Sequence, residues 1–238
     1  MRRLVIIPAR HTHRLAVALV LSVMATLILS VFWQGSAIVN SQLNVLHVVV
    51  LDPGHGGYDP GAITRQGVYE KEINLQIAAR VERMLKPSGI KVLLTRDEDE
   101  DYVPPGVKGR DSKKQTDLNY RIALAAQASA DVFVSLHVNA NAGTPKSGAE
   151  TFYHIKSEKG KYLAERIQEE LVKVPGMNRR VAKPGDFYII NNTAMPAVIV
   201  ELGYLNNTAE LIKLKQASYQ EQLAHAIAKG IGNYFGLP

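Results

Sequence analysis

Short apolar segments alternate with segments of helical periodicity along most of this 238-residue chain, and this alternation restricts the folds open to it. Alternating strands and helices are typical of α/β proteins, whose largely parallel sheets are covered by helices on both faces. We therefore predict a single α/β domain with a mostly parallel (mixed) twisted sheet and helices on both faces. The strand candidates are Val45 to Leu51, Lys91 to Thr95, Asp131 to His137, Glu150 to His154, Phe187 to Ile190 and Pro196 to Glu201.

The helices are predicted from apolar residues that recur every three or four positions. Between Glu70 and Leu85, the spacing of Ile73, Ile77 and Val81 gives one apolar stripe. Asp97 to Gln115 contains five consecutive acidic residues and is predicted to be a solvated surface loop rather than a calcium or substrate site. The other helix candidates run from Thr116 or Asp117 to about Ala128, from Lys161 to Val172, and from Thr208 to Phe235 in two pieces that meet near Ala217 and Ser218.

The first 37 residues differ in character from the rest of the chain. They contain four arginines and no acid, and Leu15 to Trp33 is a nearly uninterrupted apolar run. Such a run is long enough to cross a bilayer, although the small residues Gly35 to Ala37 offer a site for signal cleavage. We predict a signal or anchor segment at 1–37, a linker at 38–44 and the folded domain at 45–238, with the arginines cytoplasmic and the domain exported.

Charge and cysteine content exclude several classes of protein. Outside the first 37 residues, 24 basic residues nearly balance the 22 acidic ones, so no nucleic-acid partner is predicted. The chain has no cysteine, which excludes disulfides, cysteine nucleophiles and cysteine-ligated metals. The signatures HExxH of zincin peptidases, G-x-S-x-G of serine hydrolases and the P-loop are also absent.

Histidine and glutamate side chains lie where the predicted strands end. The glycine-rich segment from Leu51 to Ala62 follows the first strand and contains His55. One later strand ends at His137 and the last ends at Glu201. Because ligands of open α/β sheets gather beyond the carboxyl ends of the strands, we expect these side chains to converge on one crevice.

Two imidazoles and one carboxylate form the ligand set of a catalytic zinc ion that keeps one position open for water. A further free carboxylate beside such an ion can accept a proton from the water and pass it to a leaving nitrogen. The chain supplies these groups if a glutamate at the start of the first helix joins the strand-end residues. The residues alone do not decide between Glu70 and Glu72, although Glu70 is nearer to the turn. The pattern predicts hydrolysis of an amide.

Seven segments between about residues 47 and 235 follow one known order and spacing: LDPGHGGYDPGA, YEKEINLQIA, KVLLTRDED, DLNYRIALA, ADVFVSLHVNAN, SGAETFYH and PAVIVELGYLNN. In these segments the chain resembles the zinc-dependent N-acetylmuramoyl-L-alanine amidases of bacterial cell-wall metabolism, in the group with a single α/β catalytic domain. The resemblance implies one zinc ion (Zn2+) per chain, bound by His55, Glu70 and His137. It also implies that Glu201 is the catalytic carboxylate.

The implied reaction cleaves the amide between the lactyl group of N-acetylmuramic acid and the L-alanine that begins the stem peptide of peptidoglycan. The chain shows no recognisable wall-binding repeats, and in this it resembles the sporulation or germination branch, which helps to generate muramic δ-lactam in the spore cortex. The implied partners are peptidoglycan and, through the N-terminal segment, the inner membrane. The implied location is the outer face of the cytoplasmic membrane or the cell wall and spore cortex space.

Other interpretations remain open from the sequence. A zinc carboxypeptidase or other metallopeptidase acting on stem peptides would use the same ligands, whereas a non-catalytic, membrane-tethered wall-binding protein would not need a spare carboxylate as well. Glu150 could orient a metal ligand through a hydrogen bond to it. Arg179, Arg180 and Lys183 either bind substrate carboxylates or belong to an exposed basic loop.

Overall fold

The structure, a computed structural model, describes residues 19–30, 47–140 and 146–237. The chain divides into two compact units, Met1–Val45 and Leu46–Pro238. In the first unit, residues 19–30 are helical, while the remainder of the predicted apolar run and the whole predicted linker lie outside the described residues. No helix among the described residues is both long enough and apolar enough to cross a bilayer.

The second unit alternates strands and helices in the order that the sequence predicts, except between α3 and β6, where a short strand and a short helix replace one predicted strand. A short 3-10 turn, Lys86–Ser88, follows the first helix. The described elements are β1 (Val48–Pro53), α1 (Glu70–Leu85), β2 (Lys91–Leu94), α2 (Arg110–Gln127), β3 (Val132–Asn139), β4 (Glu150–Tyr153), α3 (Glu158–Leu171), β5 (Lys183–Pro184), α4 (Tyr188–Asn192), β6 (Ala197–Tyr204), α5 (Thr208–Leu214) and α6 (Ala217–Tyr234).

The strands form one sheet in the order β2-β1-β3-β6-β4-β5. The neighbours β2, β1, β3 and β6 run parallel, and β4 runs antiparallel to β6. The predicted mostly parallel, mixed sheet is therefore confirmed. The carboxyl ends of β1, β3 and β6 share one edge of the sheet, and the reversed β4 brings its amino end to that same edge.

Two hydrophobic cores cover the two faces of the sheet. The larger core joins side chains such as Val49 and Leu51 of β1 to α1, α3, α5 and α6. The smaller core joins Val50, Phe133 and Ile199 to α2 and α4. Side chains alternate between the two faces along a strand. The face that carries the smaller core therefore also carries every other residue toward the carboxyl ends of β1, β3 and β6, where the predicted site residues lie.

Two predicted elements are wrong. Helix α2 begins at Arg110 rather than at Thr116 or Asp117, because the polar residues of its first turns face solvent and give no apolar stripe to mark them. Phe187 to Ile190 is not a strand: Tyr188–Asn192 is a short helix whose Ile189 and Ile190 are buried in the smaller core. Packing overrides the β propensity of these aromatic and β-branched residues.

The acidic run is only partly the solvated loop that its composition predicts. Asp99 accepts a hydrogen bond from the backbone N–H of Gly57 at 2.9 Å and an ion pair from Lys71 at 2.7 Å. Asp101 accepts a hydrogen bond from the backbone N–H of Tyr58 at 3.0 Å. The acidic run therefore packs against the glycine-rich turn and holds the turn in place through these contacts.

Candidate active site

In the turn after β1, the backbone of His55 has a left-handed conformation. The φ angle of His55 is 64°, which is uncommon for a residue with a side chain. Its Nδ1 lies 2.8 Å from the carboxylate of Asp59, four residues later. That contact fixes the ring and leaves Nε2 directed toward Glu70, at 3.2 Å from Oε1.

Two buried arginines hold the carbonyl groups of this turn. Arg96 donates Nε–H to the carbonyl oxygen of His55 at 2.7 Å and to that of Pro53 at 2.8 Å. Arg121 donates to the same two carbonyl oxygens at 2.8 and 3.0 Å. Backbone strain of this kind persists only where the surroundings fix it, and these guanidinium groups supply that constraint.

Asp52 is a buried partner of Arg121 and thereby helps to hold the turn that contains His55. It is almost fully buried and accepts hydrogen bonds from Thr95 and Ser135 at 2.6 Å each and an ion pair from Arg121 at 2.8 Å. Burial raises the pKa of Asp52, but Arg121 and the hydroxyl donors outweigh burial and hold it below its ordinary value. The charge of Asp52 therefore stays in place under the histidine turn.

The predicted ligand set comes together in space. His137 Nδ1 lies 3.0 Å from Glu70 Oε1, and the rings of His55 and His137 stand edge to face with centroids 4.8 Å apart. One donor atom from each of His55, Glu70 and His137 lies within 4.8 Å of the others. Glu72, the alternative from the sequence, is exposed.

The donor set fits a small divalent cation. Imidazole nitrogen and carboxylate oxygen are the ligands that zinc takes in catalytic sites, at about 2.0–2.2 Å, which requires donors roughly as close together as these are. Glu70 contacts both histidines and accepts hydrogen bonds from the backbone N–H groups of Val138 at 3.0 Å and Ala62 at 2.9 Å. The backbone donors hold the carboxylate in position.

Charge coupling in this cluster shifts two pKa values strongly. Burial lowers the pKa of His55, but its contacts with Asp59 and Glu70 outweigh burial and raise the pKa to about 9. Burial raises the pKa of Glu70, and the two histidines outweigh it and hold that pKa below its ordinary value. The contacts of His55 therefore favour a protonated imidazole paired with a carboxylate.

Glu201 stands beside this cluster. It pairs in register with His137 across β3 and β6, so both side chains lie on the same face of the sheet. Its Oε2 is buried and makes no hydrogen bond with any described residue. Burial, together with the charges of Glu70 and Glu150, raises the pKa of Glu201 to about 7 against the opposing effect of His137 and His55. A carboxylate with that pKa is suited to accept and return a proton near neutral pH.

A cavity of about 230 Å³ opens beside the histidines. It lies between the sheet and helices α2 and α4, with Leu118, Ile189 and Ile199 among its apolar lining and Lys114 and Tyr188 among its polar lining. The cavity reaches His55 and His137 from the face of the sheet that carries the smaller core.

Residues 49–233 match the family model described as N-acetylmuramoyl-L-alanine amidase. The chain belongs to this family. It is therefore an amidase that acts on peptidoglycan, and the resemblance predicted from the sequence motifs is confirmed.

The relatives of the amidase include spore enzymes. The germination-specific N-acetylmuramoyl-L-alanine amidase of Bacillus subtilis is 35% identical over 189 residues, which cover 79% of this chain and 79% of the relative. The sporulation-specific N-acetylmuramoyl-L-alanine amidase of the same organism is 33% identical over 193 residues and 68% of its length.

Solved structures share the fold. The CwlD amidase of Clostridioides difficile, solved in complex with the GerS lipoprotein, is 36% identical, with a TM-score of 0.76 over 80% of this chain and 98% of that chain. The catalytic domain of the CwlV amidase of Bacillus (Paenibacillus) polymyxa is 33% identical, with a TM-score of 0.71 over 81% of this chain and 100% of that one.

Sequence reasoning missed the residues that hold the histidine turn. Asp59, Arg96 and Arg121 all lie inside segments that carry the family resemblance, so their positions were visible without their roles. A useful signal was present in two of them: Arg96 lies two residues after β2, and Arg121 lies among the inward-facing positions of an amphipathic helix. Charged residues at such positions are rarely buried without a partner.

Proposed function

We propose that this amidase is a one-zinc enzyme in which His55, Glu70 and His137 hold the ion and Glu201 is the general base. The observation that carries the proposal is the buried Oε2 of Glu201, which has no hydrogen-bond partner among the described residues, next to a compact set of two imidazoles and a carboxylate. A bound zinc ion would supply Lewis acidity, which polarises an amide carbonyl and makes water more acidic.

The residues of the chain account for the proton transfers. Water attacks the lactyl carbonyl carbon, and Glu201 takes a proton from that water. The carbon–nitrogen bond then breaks, and Glu201 returns the proton to the departing nitrogen of L-alanine. The products are a free lactyl carboxyl group on the glycan and a stem peptide with a free amino terminus. The pKa of Glu201 near 7 suits both transfers.

We further propose that the substrate is spore cortex peptidoglycan. The germination-specific and sporulation-specific relatives support this, since both align with most of the chain. Removal of the stem peptide frees the lactyl carboxyl, which is the group that must close on an amine to form muramic δ-lactam. In this proposal the amidase prepares the glycan for lactam formation by exposing that carboxyl.

We also propose that residues 1–37 direct the amidase across the cytoplasmic membrane and leave the domain on its outer side. The cluster of arginines before an apolar run supports that orientation. The relative solved with a lipoprotein suggests that a membrane-associated lipoprotein is a class of partner to test.

The metal and base assignments can be tested on the full-length chain. Digested peptidoglycan is examined by mass spectrometry for free lactyl ends and free L-alanine amino termini, with and without a chelator, and zinc is counted per chain. We expect one zinc, loss of activity with chelator and recovery with zinc. Glu201→Gln should retain the zinc and lose at least about 10²-fold in kcat.

The exposed Glu72 gives a matched control. Glu72→Gln should retain both zinc and activity, whereas Glu70→Gln should bind zinc weakly. An active Glu201→Gln enzyme, or full activity after metal removal, would contradict the proposal. Stem peptides cut internally, with the lactyl amide intact, would point to a peptidase instead.

A further inference from the structure

A second charged group lies one strand away from Glu201. Strand β4 pairs with β6 so that Glu150 is directly opposite Glu201, and directly opposed side chains share a face of the sheet. Glu150 is 5% exposed, and no hydrogen bond to the predicted metal ligands is among its contacts. The role considered from sequence, a hydrogen bond to a ligand, is thus not what its described contacts show.

Glu150 instead binds two cations and a phenol. Its Oε1 lies 2.6 Å from Arg180 Nη1 and 2.7 Å from Lys183 Nζ, and its Oε2 accepts a hydrogen bond from the Tyr204 hydroxyl at 2.8 Å. Burial raises the pKa of Glu150, and these three donors outweigh burial and keep it below its ordinary value. We call Glu150, Arg180, Lys183 and Tyr204 the Glu150 group. One carboxylate faces two cations, so the group has a surplus positive charge.

The surplus resides on Lys183 rather than on Arg180. Arg180 also donates Nη2–H and Nε–H to the carbonyl oxygen of Ser147 at 2.9 and 3.2 Å, which occupies the rest of its guanidinium. The ammonium of Lys183 has three donors, and the side chain is 46% exposed. It also lies over the ring of Phe152, with Nζ 4.9 Å from the centroid. Lys183 is thus held in place with donors left for an external acceptor.

The position of Lys183 suits one part of the substrate. It lies on β5, two strands from β6, and pairs with Phe152, two residues along β4 from the Glu150 that faces Glu201, so its backbone is roughly 12 Å from that of Glu201. Its side chain extends back toward Glu201 as far as Glu150 Oε1, at 2.7 Å. On the glycan side of the scissile bond, the lactyl carboxyl forms the amide itself and so is not a free carboxylate. The stem peptide carries free carboxylates, and the first belongs to its second residue, a glutamate linked through its side chain. Two extended residues span about 7 Å.

We propose that Lys183, oriented by Glu150, is a specificity-determining residue that binds the free α-carboxylate of the second stem-peptide residue. The proposal rests on the amidase reaction with Glu201 as base, and it assigns the β4–β5 side of the site to the peptide. Arg180 and Tyr204 are positioning residues in it, because they saturate Glu150 and leave Lys183 available.

The test compares two substrates that differ in one group: muramoyl-L-alanyl-D-isoglutamate and muramoyl-L-alanyl-D-isoglutamine, in which an amide replaces the carboxylate. For the full-length zinc-loaded enzyme, we expect kcat/KM to favour the acid by about tenfold, mostly through KM, as a hydrogen bond between charged groups would give. Lys183→Gln should lose this preference, and Lys183→Arg should keep part of it.

Lys215→Gln is the matched control, because Lys215 is an exposed lysine at the end of α5, outside the Glu150 group. It should keep the full preference. Equilibrium binding of both compounds to Glu201→Gln, with and without Lys183→Gln, separates recognition from chemistry. A binding preference that depends on Lys183 supports the inference even if no variant hydrolyses either compound, and that outcome would contradict only the proposed reaction. Equal kcat/KM for the two compounds, or a preference that survives Lys183→Gln, would overturn the inference.

Discussion

The imidazole of His55 is fixed by three independent constraints: a left-handed backbone, a carboxylate on one ring nitrogen and a second carboxylate on the other. In the metal-free protein these carboxylates stabilise its protonated form, with a pKa of about 9. The pairing thus stabilises the metal-free fold below the ordinary pKa of 6.5, and this contribution is lost as the pH rises toward 9.

Metal binding should therefore release a proton from His55. A ligand imidazole must be neutral, so at pH 7 to 8 each ion should displace about one proton, and the apparent affinity should rise about tenfold per pH unit up to the pKa. Isothermal titration calorimetry in buffers of different ionisation enthalpy measures the number released. Glu201→Gln serves as the background, because it removes the titration of Glu201. A heat of binding that does not depend on the buffer would contradict the prediction.

Single residues also mark the limit of what the sequence can reveal. His55, His137 and Glu201 were predictable because each lies near the carboxyl end of a buried strand, and the sheet then brings these ends together; β3 and β6 continue for two and three residues beyond His137 and Glu201. Arg96 and Arg121 were not, since their partners are carbonyl groups of a turn whose path depends on the folded backbone. Lys183 was visible only as one of three basic residues in a loop.

At the level of elements, the turn that follows β1 approaches β3 so closely that a side chain would not fit. A Cβ placed on Gly54 would lie 2.2 Å from the Cε1 and Nε2 atoms of His137. The backbone N–H of Gly54 also donates to the carbonyl oxygen of Leu136 at 2.9 Å, which fixes the two segments together. The missing side chain of Gly54 thus leaves the space that the His137 ring fills.

Gly54→Ala should therefore impair metal binding more than folding. The His137 ring can rotate away from the added methyl group, so we expect the free energy of unfolding to fall by only about 1–3 kcal/mol. Displacement of a ligand should lower zinc affinity by about 10- to 100-fold, as supporting substitutions at metal sites do. Competition with a chelator and chemical denaturation measure the two quantities.

Gly232→Ala provides the comparison for this substitution. Gly232 lies in α6, and an added methyl group would meet no atom within 4 Å. This variant should bind zinc like the parent and be slightly more stable, because alanine favours helix over glycine. If Gly54→Ala also bound zinc like the parent, the close approach would have no role in holding His137.

The secondary-structure elements differed in how well the sequence predicted their bounds and type. Helix α1 was predicted with its observed bounds, because its apolar stripe begins and ends with the helix. The start of α2 and the helical state of α4 were not, because the first has no buried face to mark it and the second is decided by packing. The reversed direction of β4 is also not encoded in its own residues, since apolar alternation is the same in both directions.

On the scale of the whole molecule, the described members of both hydrophobic cores come from the unit Leu46–Pro238. Two cores on opposite faces of one sheet are sufficient for an independent domain of this size. The predicted boundary at residue 45 remains a prediction that truncation can test.

A chain that begins at Leu46 should unfold at the same temperature as the full-length amidase, within about 2 °C, since a change outside the cores alters stability by less than about 0.5 kcal/mol. Thermal unfolding followed by circular dichroism measures this. The truncated chain should also retain the zinc stoichiometry of the full-length chain. A drop in unfolding temperature of ten degrees or more would show that the first 45 residues contribute to the fold.

The location of the predicted residues at one edge of the sheet has a practical consequence for an enzyme whose substrate is a solid network. Such an enzyme can cut only the strands of polymer that this edge of the sheet faces, so its orientation on the network affects which bonds it reaches. Helices α3 and α6, which cover the larger core, are not part of that edge. A bead, a dye or a fusion partner attached there would leave the glycan free to enter.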